Sequence, residues 1–159
     1  AFKHATAGRY GIVHLAVHGF PDEADPEQAS LALLPDRNAG EDGFLHASEI
    51  AMMRLDTNLV VLSACETAVG PIQGEEGIAT LSKAFLLAGA RAVVSTLWSV
   101  DDTSSVFLME RFYSRIAAGD PPAVALAEAK RALLRKFGKA AAPYYWAGFT
   151  FEGVPKTIH

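Results

Sequence analysis

Residues 59–67 read LVVLSACET, from Leu59 to Thr67, and this stretch decides the fold. Leu59, Val60, Val61 and Leu62 are strand-forming and apolar without polar alternation. Such a run suits a strand covered on both faces, as in a parallel sheet flanked by helices. Cys65 is the only cysteine in 159 residues, and it falls where that strand should end. In open α/β sheets the carboxyl ends of strands carry ligand and catalytic groups, so the thiol occupies the most chemically useful place open to it.

The length is that of one domain with a single good core. Half of the residues are hydrophobic, which argues for a packed globule rather than a disordered chain. A net charge of -4 without a basic stripe argues against nucleic-acid binding. No apolar run approaches the roughly 18 to 20 residues that span a bilayer, and no signal-peptide pattern opens the chain. One cysteine forms no internal disulfide, which fits a reducing compartment, and a cytoplasmic location is expected. The first residue is alanine, and a buried-looking strand begins soon after it. That reads as a piece of a longer polypeptide.

Working outward, Phe2 to Ala7 suggests the tail of a helix closed by Gly8. Ile12 to Val17 is a first strand, apolar on both faces, running into His18 and Gly19. Period-2 alternation puts Ile12, His14, Ala16 and His18 on one side. Phe20 to Glu27 is an acidic loop. Ser30 to Leu34 and Gly43 to Leu45 flank a turn-rich segment as a hairpin-like excursion. Ser48 is expected to cap a short helix through Met53. After Leu59 to Ala64, a helix is predicted from Glu75 to Ala88, burying Ile78, Leu81, Phe85 and Ala88 and stopped by Gly89. Ala92 to Leu97 is the third strand, ending at Trp98. Asp101, Asp102 or Thr103 caps a helix bearing Val106, Met109, Tyr113 and Ile116. Asp120 and Pro121 restart the chain as N-cap and first-turn proline of a last helix that buries Leu126, Ala129, Leu133 and Phe137. Trp146 to Phe151 is the final strand. Strands alternating with helices imply a doubly wound α/β fold with four core parallel strands.

His18 and Cys65 each close a buried parallel strand, so both should leave the same sheet edge. Neighbouring strands lie roughly 4.8 Å apart, close enough for the following loops to join an imidazole and a thiol. A thiolate, a histidine that takes and returns a proton, and an oxyanion hole make a cysteine-peptidase site. The backbone N–H groups of Gly19 and Cys65 are the natural oxyanion donors, since Gly19 presents no side chain. Alone, Cys65 reads as a small buried hydrophobe and His18 as a structural histidine; together on one edge they read as a dyad. His14 reads as a buried, hydrogen-bonded core histidine. It would lie roughly 13 Å from His18 along a strand, which disfavours zinc. Residues 70–77 (GPIQGEEG) lack the Gly-Lys-Ser/Thr ending of a phosphate loop and start a helix with two glutamates, so they read as a loop lining the cleft. Of Asp101 and Asp102, one caps the next helix, and the other is a candidate partner for a basic substrate side chain.

The motifs HLAVHG (14–19), LSACET (62–67), GEEG (74–77), AFLLAGA (84–90), LWSVDD (97–102) and PYYWA (143–147) occur in order across nearly the whole chain. Together they resemble the CHAT domain, a caspase-like domain related to separase and found beside tetratricopeptide repeats in bacterial proteins. The resemblance implies a caspase-hemoglobinase fold, a mainly parallel α/β/α sandwich, and a dyad of His18 and Cys65 with no third catalytic residue. It implies a protein or peptide substrate and no metal or organic cofactor. Separase-like members favour arginine at P1, which makes Asp101 the candidate acidic contact, with Asp102 able to play the same part. Trp98 and Glu66 join it as cleft-lining substrate contacts. CHAT domains carry further strands before the histidine-bearing one, so a missing N-terminal portion or a neighbouring repeat domain is an expected partner. The rival readings are a non-catalytic CHAT-like interaction module and, more distantly, a flavodoxin-like small-molecule binder.

Overall fold

The computed structural model describes residues 10–22, 24–35, 40, 42–63 and 75–154. In chain order these form β1 (Tyr10–Leu15), β2 (Gly19–Phe20), β3 (Ser30–Ala32), β4 (Phe44–His46), α1 (Ala47–Met52), β5 (Thr57–Leu62), α2 (Glu75–Leu87), β6 (Ala92–Thr96), α3 (Asp102–Ala117), α4 (Pro122–Phe137) and β7 (Phe149–Gly153). The main sheet has the order β1-β5-β6-β7, and a second sheet has the order β2-β3-β4.

β5 is the centre of the sandwich. Successive side chains on a strand point to opposite faces. Val60 and Leu62 therefore enter one core, with Ile50 of α1 and Ile78, Leu81 and Phe85 of α2. Leu59 and Val61 enter the other, with Leu108 and Phe112 of α3 and Ala129 and Leu133 of α4. All four β5 residues are fully buried, and burial of one such side chain contributes about 1.5–3 kcal/mol. This is the three-layer α/β/α arrangement that the unbroken apolar run implies.

β1 differs from the expected strand. It ends at Leu15 rather than Val17, and Leu15 is its one buried residue. Among the described residues it pairs with β5 alone, so Ile12 and Val13 are only half covered and His14 is exposed. β7 also departs from expectation, because it runs antiparallel to β6. It begins at Phe149 because the expected start of the strand is taken up by a 3-10 turn, Pro143–Tyr145, and the turn that follows it: the Trp146 and Ala147 amides both donate to the Pro143 carbonyl. Lys130 of α4 holds the start of β7 by donating to the Phe149 carbonyl at 2.5 Å. Burial lowers the pKa of this ammonium.

The helix signals gave the right elements with shifted details. α1 starts at Ala47 with His46, not Ser48, in the N-cap position; the Glu49 carboxylate accepts from the His46 amide at 3.0 Å. α4 has Pro121 as its N-cap and Pro122 in the first turn, while Asp120 pairs instead with Arg115. α3 buries Ser104, Leu108, Phe112 and Ile116, and Val106 stays 59% exposed. Met109 and Tyr113 are half-buried, so the face is turned by one position from the expected one. In α4, Phe137 is half-buried, while Leu126, Ala129 and Leu133 are buried as expected.

The turned face has a measurable consequence. Phe112→Ala should cost about 3–5 kcal/mol by removing a fully buried ring. Val106→Ala should stay within about 0.5 kcal/mol. Urea unfolding of the two variants checks the assignment, and the reverse order would restore the Val106 face.

Candidate active site

β1, β5 and β6 run parallel, so all three release their chains at one edge of the sheet. The segment after β1 carries His18, the segment after β5 begins with Ser63, and the segment after β6 carries Trp98 and Asp101. Leu15 and Leu62 are register partners, and the ladder extends one step further through the Ser63 amide, which donates to the Leu15 carbonyl at 3.0 Å. In sequence, His18 lies three residues past Leu15 and Cys65 three residues past Leu62. Cys65, Glu66 and the loop through residue 74 lie outside the described residues.

The second sheet sets the His18 backbone. Ala32 donates its amide to the His18 carbonyl at 2.8 Å, so these two form a hydrogen-bonded antiparallel pair. Such pairs alternate along a ladder, which makes Gly19 and Leu31 a non-bonded pair. The Gly19 N–H therefore points away from β3 and is left unspent by the ladder. His18 is exposed, and the outer face of this sheet also carries Phe20 and Phe44, whose rings meet edge-on at 5.9 Å.

The segment after Gly19 rests on the first turn of α2. A Cβ at Gly77 would come within 2.6 Å of the Pro21 Cβ and 2.9 Å of its Cα. The second glycine of the GEEG motif thus permits a close backbone approach to the histidine-bearing segment. On the other side, the Trp98 indole donates to the Tyr144 carbonyl at 3.0 Å, and a Cβ at Gly148 would come within 2.8 Å of its ring. The PYYWA segment thereby fixes the tryptophan that follows β6.

Asp101 is the N-cap of α3, and its Oδ2 accepts from the Ser104 amide at 2.9 Å. Asp102 is exposed in the first turn and forms no hydrogen bond or ion pair with a described residue. Asp101, Thr103, Ser104, Phe137, Ala140 and Tyr145 line a hollow of about 220 Å³, in which Asp102 takes no part.

His14 is hydrogen-bonded as expected but is not buried, because β1 is an edge strand among the described residues. Its Nε2 is 3.0 Å from the Ser63 hydroxyl, and its Nδ1 is 2.9 Å from the Tyr113 hydroxyl. Partial burial of the ring lowers the His14 pKa, and burial pushes the Tyr113 hydroxyl up to about 12. Sequence reading missed this chain of groups. The only available signal was that His14 is the single polar residue in the Ile12–Val17 run.

Gly77→Ala should force α2 and the Pro21 segment apart, at a cost of about 1–3 kcal/mol for overpacking. The His18 ring resonances should move with it in an NMR spectrum. An unmoved His18 signal would mean that Gly77 does not control the histidine.

A family model described as the CHAT domain matches residues 1–154. Tetratricopeptide repeat protein 28 of Mus musculus is 36% identical over 109 residues, covering 69% of this chain and 4% of that protein. Its Homo sapiens counterpart is 33% identical over 109 residues, with the same coverage of each. The chain thus spans about 4% of the length of these relatives. Among the described residues no helix is long and apolar enough to cross a membrane. With the family match lying across the parallel strand ends from which the HLAVHG and LSACET motifs depart, the chain belongs to the CHAT domain family.

Proposed function

We propose that this chain is a cysteine endopeptidase domain with a dyad of His18 and Cys65. The observation that supports it best is the pairing of Leu15 with Leu62, each followed three residues later by one member of the dyad. His18 takes the Cys65 thiol proton, and the thiolate attacks the scissile carbonyl carbon. The tetrahedral oxyanion is held by the backbone N–H groups of Gly19 and Cys65. Collapse breaks the C–N bond, and the imidazolium returns the proton to the leaving amine. Water, deprotonated by His18, then cleaves the thioester to release the acid and restore the thiol.

The hollow beside Asp101 supports a basic P1 side chain. Phe137 and Tyr145 would cover its aliphatic stem, and the Asp101 oxygen not used in capping would meet its charge. Trp98, whose indole is bonded to the Tyr144 carbonyl, and Glu66, which follows the nucleophile, are the further substrate contacts of this reading. The family setting and the repeat-bearing relatives favour a neighbouring tetratricopeptide repeat domain as the source of substrate delivery and triggering.

An electrophilic peptide probe that labels thiols separates this reading from a non-catalytic interaction module. Labelling should vanish in Cys65→Ala and slow by roughly 10²–10⁴-fold in His18→Ala. Ordinary labelling of Cys65, indifferent to the loss of His18, would sink the peptidase reading. For the acidic contact, Asp101→Asn keeps a good capping side chain while removing its charge. Cleavage after arginine should then fall roughly tenfold or more, in line with losing a charged hydrogen bond. Unchanged cleavage would exclude Asp101 from substrate recognition.

A further inference from the structure

We infer that His14 is a positioning residue for the dyad, fastening the ends of β1 and β5 to each other and to α3 through the chain Ser63–His14–Tyr113. The inference rests on the reading of His18 and Cys65 as the reacting pair. Its basis is geometric. His14 is the penultimate residue of β1, paired with Val61, and its Nε2 reaches the Ser63 hydroxyl just past the end of β5 at 3.0 Å. Its Nδ1 meets the Tyr113 hydroxyl of α3 at 2.9 Å.

Both ring nitrogens are engaged, so the ring cannot turn without giving up two hydrogen bonds. A neutral imidazole offers one donor and one acceptor, and a hydroxyl can play either part, so both tautomers satisfy the chain. Tyr113 is itself anchored, since its ring packs edge-on at 5.2 Å against Phe112, which is fully buried. The three residues lie on, or one step past, the elements that lead to the candidate groups. His14 precedes His18 by four residues, Ser63 precedes Cys65 by two, and Tyr113 lies on the helix that Asp101 caps.

A purely structural role fits this place poorly. His14 interrupts an otherwise apolar run on a strand that is an edge among the described residues, and an isoleucine or valine there would suit the strand but would bond neither Ser63 nor Tyr113. What the imidazole supplies instead is a fixed offset between two strand ends. Reacting groups need such an offset, because displacement by about 1 Å can cost 10²-fold in rate.

The test uses the whole chain with His14→Leu, Tyr113→Phe, the double variant, and His14→Gln, which keeps a donor and an acceptor. Amide hydrogen exchange reads the fastening itself. Ser63, whose amide is bonded to the Leu15 carbonyl, should exchange faster in His14→Leu and Tyr113→Phe, while Val60 and Val61 stay protected. Peptide cleavage reads its consequence. Each single variant should lose roughly 10- to 100-fold in kcat with KM nearly unchanged. The double variant should be no worse than the poorer single, and His14→Gln should recover part of the loss. Unaltered Ser63 exchange overturns the inference whatever the activity. Additive losses, or a lowered melting temperature with normal kcat, overturn it too. If Ser63 loosens but wild-type Cys65 shows no His18-dependent labelling, the dyad reading fails, and the positioning role for it falls as well.

Discussion

The pairing of Leu15 with Leu62 fixes where everything at the carboxyl edge of the sheet can be. Strand residues advance by about 3.3 Å, so a slip of two would keep the faces and displace the edge by about 6.6 Å. A slip of one would turn Leu15 out of its core altogether. Register is held from both sides of the strand. Leu15 and Val13 pack into the core beneath α1 and α2, and His14 on the opposite side is tied to Ser63.

Apolar burial and polar chemistry are separated along the strands. From Leu59 to Leu62, β5 is covered by helices on both faces, so its side chains there are apolar and its backbone groups are used in the two ladders. At the strand ends the ladders stop, and backbone donors become free to bind something else. Gly19 keeps its donor by another route: it is the non-bonded partner of Leu31, so its N–H points away from β3. The segments around it are set by close approach: Pro21 against Gly77, and Trp98 against Gly148. These contacts give Gly77 of the GEEG motif, and Gly148 just past PYYWA, a steric reason, and that of Gly77 needs no bound phosphate.

The unbroken apolar run of β5 made the covered sheet legible, and the residues just past the apolar runs made the candidate edge legible. The helices were legible from their periodicity and their glycine stops. α3 was read one position out because Val106, Phe107, Leu108, Met109, Phe112, Tyr113 and Ile116 form an apolar band wider than one face. Only packing against β5, β6 and α4 chooses its centre. The caps of α1 and α4 moved for a similar reason. Ser48 and Asp120 are good capping residues in isolation, but the backbone enters helical geometry beside His46 and Pro121. β7 was taken as parallel because an apolar run carries no sign of its direction.

The sequence by itself determined that the strand through Leu59 to Leu62 is buried on both faces, that a lone thiol follows it, and that a histidine follows a second strand. Local chemistry suffices for that, since strand propensity, apolar continuity and chain order are all written along one dimension. Only the tertiary structure decided that the residues three before His18 and three before Cys65 are register partners, and that His14 joins β1, Ser63 and α3. Those are distances between segments far apart in the chain, created when two cores close on opposite sides of one strand.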